Sequence, residues 1–432
     1  MLVRRRIEEK LCAWKDRQEG RAPLLLYGAR QVGKTYILHA FGEKYYENTV
    51  YINLETNPSV AGYFADDISP ERLLRFLETT VNAEILPGKT LVIFDEIQSC
   101  ERALTSLKYF AEQAPAYHIA AAGSLLGVAI NRQQYSFPVG KVESMTLYPL
   151  DFEEFLWALG ENRLAEDIRR AYRDISPLPE ALHRRAVELY RYYLIVGGMP
   201  ACVQAFCRSG KLVLVPNVQN EIADNYVADM AKYASASETV KIRACFTSIP
   251  AQLAKENRKF QYKVVQKGGS AALFGAAIEW LAQSGVVLKC QKLEHGAYPI
   301  PVYADISGFK LYMGDVGLLN MRAGIAAQTV LVGEGNTFLG AVTENYVAQA
   351  LTANGYDLYY WASEYAAEVD FVLQKGAQVI AIEVKKGEHT KSKSLGVFAA
   401  KYHPAACIRF SEKNFGKTEN VTALPLYAAF CV

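Results

Sequence analysis

The sequence predicts an α/β protein in four parts: an N-terminal parallel sheet carrying a phosphate-binding motif, a helical lid, a winged-helix-like middle module and a C-terminal α+β domain. Three observations carry this expectation. Four short runs, Leu24–Tyr27, Thr49–Leu54, Leu91–Phe94 and His118–Gly123, are apolar on both faces and separated by helix-length periodic stretches, as strands covered by helices are. A glycine-rich motif directly follows the first run. Near the C-terminus, two segments that alternate polar and apolar residues flank the turn Lys375-Gly376-Ala377-Gln378.

Length and composition set the frame. At roughly 150 residues per domain, 432 residues make two to four domains. With 51% hydrophobic and 21% charged residues the chain is neither disordered nor collagenous. Lys+Arg 47 against Asp+Glu 45 leaves a net charge of +2, which gives no global field for nucleic acid. The cysteines are scattered without a Cys-x-x-Cys pair and are expected to be reduced thiols. Met1–Lys10 lacks the apolar stretch of a signal peptide, and no apolar run reaches the ~20 residues of a membrane span. The expected location is the cytoplasm, without a membrane partner.

Taken in order, residues 1–150 form the phosphate-binding core and residues 151–236, with Phe152, Phe155 and Leu156 on one helical face and a break at Gly197-Gly198-Met199-Pro200, form the lid. Residues 237–330 give amphipathic helices and then alternating runs around Val286–Lys289 and Phe309–Met313, the pattern of a winged helix. Residues 331–432 form the last domain.

Gly28-Ala29-Arg30-Gln31-Val32-Gly33-Lys34-Thr35 has the spacing Gly-x4-Gly-Lys-Thr between a predicted strand and a predicted helix. Such glycines let backbone N–H groups wrap a phosphate, and the helix N-terminus adds partial positive charge. Lys34 is expected to reach the β- and γ-phosphates of ATP and Thr35 to ligate Mg²⁺. Leu91–Phe94 runs straight into Asp95-Glu96, two acids at the carboxyl end of a buried strand, where α/β sheets bind ligands. Asp95 suits Mg²⁺, held through water, and Glu96 suits the attacking water. Ser124, after the next run, is placed to sense the γ-phosphate, or is an ordinary turn serine.

With Phe94–Gln98, Gly123-Ser124, Ser136–Lys141, Leu147–Phe155 and Gly197–Pro200, these residues resemble the AAA-type ATPases, and among them a prokaryotic family that fuses the ATPase to a nuclease-like C-terminal domain. The resemblance implies ATP and Mg²⁺ as cofactors. Relatives often carry Gly-Arg where this chain has Gly140-Lys141; a lysine keeps the charge but loses the bidentate fork. Arg132 and Arg102 are further candidates for a charge supplied between subunits.

In the C-terminal hairpin, period two places Val369, Phe371, Leu373, Ile380, Ile382 and Val384 on one face and Glu368, Asp370, Glu383 and Lys385 on the other. A turn centred on Gly376-Ala377 sets Asp370 opposite Glu383, a like-charge pair that costs stability unless a cation lies between the acids. The spacing Asp-x12-Glu-x-Lys matches the PD-(D/E)XK nuclease signature, and Glu344 on the preceding helix matches its helical acid. The match implies a restriction-endonuclease-like domain with metal on Asp370, Glu383 and Glu344, and Lys385 positioning water. The competing reading is a solvated sheet face, with Lys385 paired to Glu368, that binds without cutting.

Lys255–Lys263 interleaves basic and aromatic side chains, as a surface that tracks phosphates and stacks bases does, although its Phe and Tyr equally suit a core. The leading expectation is therefore a Mg²⁺-dependent ATPase coupled to a C-terminal domain that binds, and in one form cleaves, double-stranded DNA. The alternative is an ATP-switched protein-interaction module with an inactive nuclease-like docking domain. A homo-oligomer is compatible with either.

Overall fold

The structure is a computed structural model that describes residues 4–123, 140–256, 258–333, 337–363, 367–387, 393–418 and 420–432. The chain divides into two compact units, 1–148 with 283–285, and 149–282 with 286–432.

The first unit holds five strands, β1 (Leu24–Tyr27), β2 (Asn48–Asn53), β3 (Thr90–Asp95), β4 (His118–Ala122) and β5 (Glu143–Thr146), in the order β2-β3-β4-β1-β5, with every pairing parallel. β3 and β4 are buried along their whole length, because helices cover both faces and leave no polar side to present to water. Phe94, Val92, Ile52 and Leu25 meet Leu73, Leu77, Leu107 and Phe110 from the covering helices Pro70–Val81 and Glu101–Gln113. The first of these helices has Pro70 in its opening turn and closes on Asn82 in the left-handed conformation, φ 50°. The order matters for function. β4 separates β1 from β3, so the loops leaving the carboxyl ends of β1 and β3 lie across a cleft beside the edge of the intervening strand.

The second unit begins with helices, Phe152–Ala158, Asn162–Asp174, Glu180–Val196, Pro200–Ser209, Val215–Tyr233 and Ala236–Leu253 among them. Asp151 caps the first through a reciprocal box with Glu154: each side chain accepts the other residue's backbone N–H. An eight-stranded sheet follows. Its strands are β6 (Val287–Leu293), β7 (Ala304–Met313), β8 (Tyr359–Ala362), β9 (Glu368–Lys375), β10 (Gln378–Val384), β11 (Ala406–Ser411), β12 (Gly416–Lys417) and β13 (Thr422–Pro425), in the order β12-β13-β11-β10-β9-β8-β6-β7. The alternation read around Val286 and Phe309 is the antiparallel pair β6 and β7, but β6 also pairs in parallel with β8. These two strands extend the C-terminal sheet and are not a free wing. β9 and β10 form the hairpin, turning on Gly376 at φ 60°.

The Gly197-Gly198-Met199-Pro200 break has a packing cause. Gly197 ends one helix at φ 73°, Pro200 opens the next, and the Gly198 N–H donates to Asp315 Oδ2 at 2.6 Å while its carbonyl accepts from Leu150 N–H at 2.7 Å. Asp315 is buried. Burial pushes its carboxyl up to about 6, against the N–H groups of Gly198, Leu318 and Gly317, which lower it. A Cβ on Gly198 would lie 2.0 Å from the Leu150 carbonyl oxygen. Gly198→Ala is therefore expected to destabilise the chain by at least about 2 kcal/mol, seen as a lower urea midpoint. Gly275 sits in the interior of helix Ala271–Gln283 with nothing within 4 Å of its Cβ position. Gly275→Ala is expected to raise the same midpoint by the equivalent of about 0.5–1 kcal/mol.

Candidate nucleotide-binding site

β1 ends at Tyr27, and the chain turns through Gly28 at φ 149°, Gln31 at φ 65° and Gly33 at φ 94° before helix Lys34–Tyr45 begins. Only glycine fits the first turn position without strain, because a Cβ on Gly28 would meet the Leu147 carbonyl oxygen at 2.3 Å. Leu147 is itself pinned, its N–H donating to the Tyr27 carbonyl at 2.8 Å. Arg5 ties the loop from outside by donating to the Val32 carbonyl at 3.0 Å and the Tyr148 carbonyl at 2.6 Å. Ala29 and Val32 are buried, and Arg30 and Gln31 half-buried.

Lys34 is only 8% exposed, and its ammonium donates to the carbonyls of Gly28 at 2.9 Å and Ala29 at 2.8 Å. Burial pulls it down to about 8, with the carboxylates of Glu96 and Asp95 raising it and Arg30 lowering it. The neighbouring Thr35 hydroxyl donates to Asp95 Oδ2 at 2.7 Å, so the ends of β1 and β3 join. Asp95 Oδ1 accepts the N–H of Glu96 at 3.0 Å. Glu96 stands in the left-handed conformation, φ 51°, uncommon for a residue with a Cβ, and its carboxylate accepts from the Gln98 amide.

Thr35 Oγ1 and Asp95 Oδ2 are hard oxygen donors side by side, next to the buried Lys34 ammonium. The residues present fit a divalent ion and the phosphates it bridges. Ser124 and Arg132 lie outside the described residues. Lys141 pairs with Glu112 at 3.1 Å, and Arg102 donates to the Phe64 carbonyl at 2.7 Å.

Sequence reading missed Tyr51, whose hydroxyl donates to Asp95 Oδ2 at 2.9 Å and whose ring packs on His39. The signal available was period two on β2, which sets Tyr51 and Asn53 on one face beside Asp95.

Of the C-terminal acids, Glu344, Glu368 and Glu383 meet cations. The register Phe371 opposite Ile382 puts Asp370 and Glu383 at the next step of the ladder, and Asp370 Oδ2 accepts the Val384 N–H at 2.7 Å. Glu383, 1% exposed, accepts from Arg409 Nε at 2.9 Å and pairs with Lys385 at 3.3 Å. Glu344 is equally buried and is met by Lys310 at 3.0 Å, by Arg258 and by the Tyr312 hydroxyl. Among the described residues no three His, Cys, Asp or Glu side chains are grouped to hold a metal ion. Of the three acids expected to hold an ion, Glu383 and Glu344 are thus paired with protein cations, while Asp370 accepts a backbone N–H. Lys385 pairs with Glu383, and Glu368 pairs with Lys310. In the basic and aromatic stretch, Phe260 is buried on Phe309 with ring centroids 5.3 Å apart, and Arg258 is engaged by Glu344, which takes both from any base-stacking surface.

Residues 20–156 match a family model described as an AAA domain. Residues 187–329 and 339–429 match two models described as domains of unknown function (DUF8612 and DUF4143). No curated protein matches the chain. Among solved structures it is similar to the Walker-type ATPase PABY2304 of Pyrococcus abyssi, at 15% identity and a TM-score of 0.46 over 74% of this chain and 96% of that one. It is similar also to ORC2 of Aeropyrum pernix in ADPNP–ADP complexes, at 14% identity and a TM-score of 0.36 over 82% and 95%. A third is a RuvB variant of Thermotoga maritima, at 14% identity and a TM-score of 0.30 over 66% and 87%. No helix among the described residues is long and apolar enough to cross a membrane.

Tyr51→Phe removes one of two donors that hold Asp95 Oδ2 in place. The Mg²⁺ concentration needed for half-maximal binding of a non-hydrolysable ATP analogue is expected to rise about tenfold, while binding without Mg²⁺ stays unchanged. Calorimetric titration at several Mg²⁺ concentrations checks this.

Proposed function

We propose that the chain is a Mg²⁺-dependent ATPase whose nucleotide state acts on a C-terminal nuclease-like domain that docks a partner without cutting it. The observation that carries the first half is the convergence of the Lys34 ammonium, the Thr35 hydroxyl and the Asp95 carboxylate at the carboxyl ends of β1 and β3. The backbone from Gly28 to Gly33 wraps the phosphates, and Lys34 exchanges two neutral carbonyls for β- and γ-phosphate oxygens. Thr35 and Asp95 hold Mg²⁺, which when bound neutralises phosphate charge. Glu96 orients the attacking water and takes its proton once the Gln98 amide releases or shares its carboxylate. Ser124 remains the candidate sensor of the γ-phosphate.

The second half is supported by the cations at Glu344 and Glu383. A carboxylate bonded to Arg409 and Lys385, or to Lys310 and Arg258, already has its charge matched by the protein. This favours docking over cleavage for a domain whose spacing matches the nuclease signature.

Lys34→Ala is expected to abolish ATP binding by calorimetry, and unchanged affinity would overturn the phosphate-binding assignment. Glu96→Gln is expected to keep ATP affinity within a few fold and to slow hydrolysis ~10²-fold or more. Hydrolysis at the parental rate would remove Glu96 from the mechanism. The parent is expected not to nick plasmid DNA in Mg²⁺ or Mn²⁺. Nicking that disappears in Asp370→Asn would overturn the docking half, and stimulation of hydrolysis by duplex DNA would identify DNA as the docked partner.

A further inference from the structure

Lys310, on β7, is fully buried, with no exposed side-chain surface. Its ammonium lies 3.0 Å from Glu344 Oε1 on helix Leu339–Ala353 and 2.5 Å from Glu368 Oε1 on β9, over the Tyr360 ring at 4.9 Å from its centroid. Glu344 also takes the Tyr312 hydroxyl and the Arg258 guanidinium. A helix and a strand therefore bring two carboxylates onto one cation, as carboxylates are brought onto a divalent ion. Glu344 is the acid that the nuclease signature assigns to metal.

We infer that the Lys310 ammonium is the built-in replacement for a divalent ion in this domain: it holds Glu344 and Glu368 together as a metal would and closes the site to metal. The inference rests on the docking reading of the C-terminal domain and gives its physical cause. Two carboxylates face two cations, Lys310 and Arg258, so the cluster is charge-balanced as it stands. Removal of the ammonium alone leaves one uncompensated negative charge, with Glu344 still met by Arg258 and Glu368 without its lysine, so that an added ion would restore the missing positive charge. Loss of one partner of a buried ion pair is strongly destabilising.

The test uses the full chain without nucleotide, carrying Asp95→Asn so that the P-loop takes no ion. Bound Mn²⁺ is counted by electron paramagnetic resonance and thermal stability is followed in parallel. The Asp95→Asn chain is expected to bind no Mn²⁺ tightly and to melt at the same temperature with and without it. Adding Lys310→Met is expected to lower the Tm on the order of 10 °C, to create one Mn²⁺ site, and to let saturating Mn²⁺ restore at least about 5 °C. Lys310→Met together with Glu368→Gln restores the charge balance, and is expected to melt above Lys310→Met alone and to bind no ion. That double variant also decides the case where Lys310→Met does not fold: if it folds, the inference stands, and if it is no more stable, the inference falls. Tight Mn²⁺ binding by the Asp95→Asn chain, or a folded Lys310→Met chain that binds none, overturns it. Mn²⁺ binding by the Asp95→Asn chain without nicking sinks this inference alone. Binding with nicking sinks the docking reading as well.

Discussion

An ammonium removed from water must be met by oxygen, and two of the charged centres among the described residues are arranged around a buried lysine. What differs is the kind of oxygen. Lys34 faces the carbonyls of Gly28 and Ala29, which are neutral dipoles. They satisfy its hydrogen bonds but leave its charge in place, so the loop stays electropositive and suits an anion. Lys310 faces Glu344 and Glu368, which take up its charge fully and leave no field for a ligand. One lysine faces neutral dipoles and the other faces carboxylates, and on the proposed reading the roles of the two centres follow from that.

The open centre depends on the sheet. Because β4 stands between β1 and β3, Asp95 reaches Thr35 across a cleft and not from an adjacent strand end. Tyr51, on the far side of β3, then closes the carboxylate from the other flank. Leu147 does the rest from the end of β5: its carbonyl packs where Gly28 would carry a Cβ, which fixes the loop's curvature. The same motif continues into Leu150 and Asp151. Asp151 caps helix Phe152–Ala158 and the Leu150 N–H donates to the Gly198 carbonyl, so one short stretch of sequence reaches both the phosphate loop and the helices after it.

Features encoded by neighbours along the chain were legible. The glycine loop is eight consecutive residues, Asp95-Glu96 announces itself at the end of an apolar run, and the β9–β10 hairpin is written in its alternation. Features encoded by partners far apart were not. Lys310 meets residues 34 and 58 positions away, and Tyr51 meets Asp95 at 44. Periodicity gives each strand a face but not a neighbour. So the alternation that gave β6 and β7 the look of a free wing carried no hint that β8 continues them, and nothing near Lys310 in the sequence singled it out.

The same blindness explains the carboxylates. Asp370, Glu383 and Lys385 sit at the spacing of a metal-dependent nuclease, and a spacing fixes which residues share a face. It does not say what lies across from that face. Here Arg409 comes from β11, and Lys310 and Arg258 come from segments that precede the hairpin by more than fifty residues. A buried carboxylate needs a cation, and a fold can draw it from solvent or from its own sequence. When a guanidinium or an ammonium enters from a neighbouring strand, the acids keep their place in the spacing while their charge is matched from within the fold.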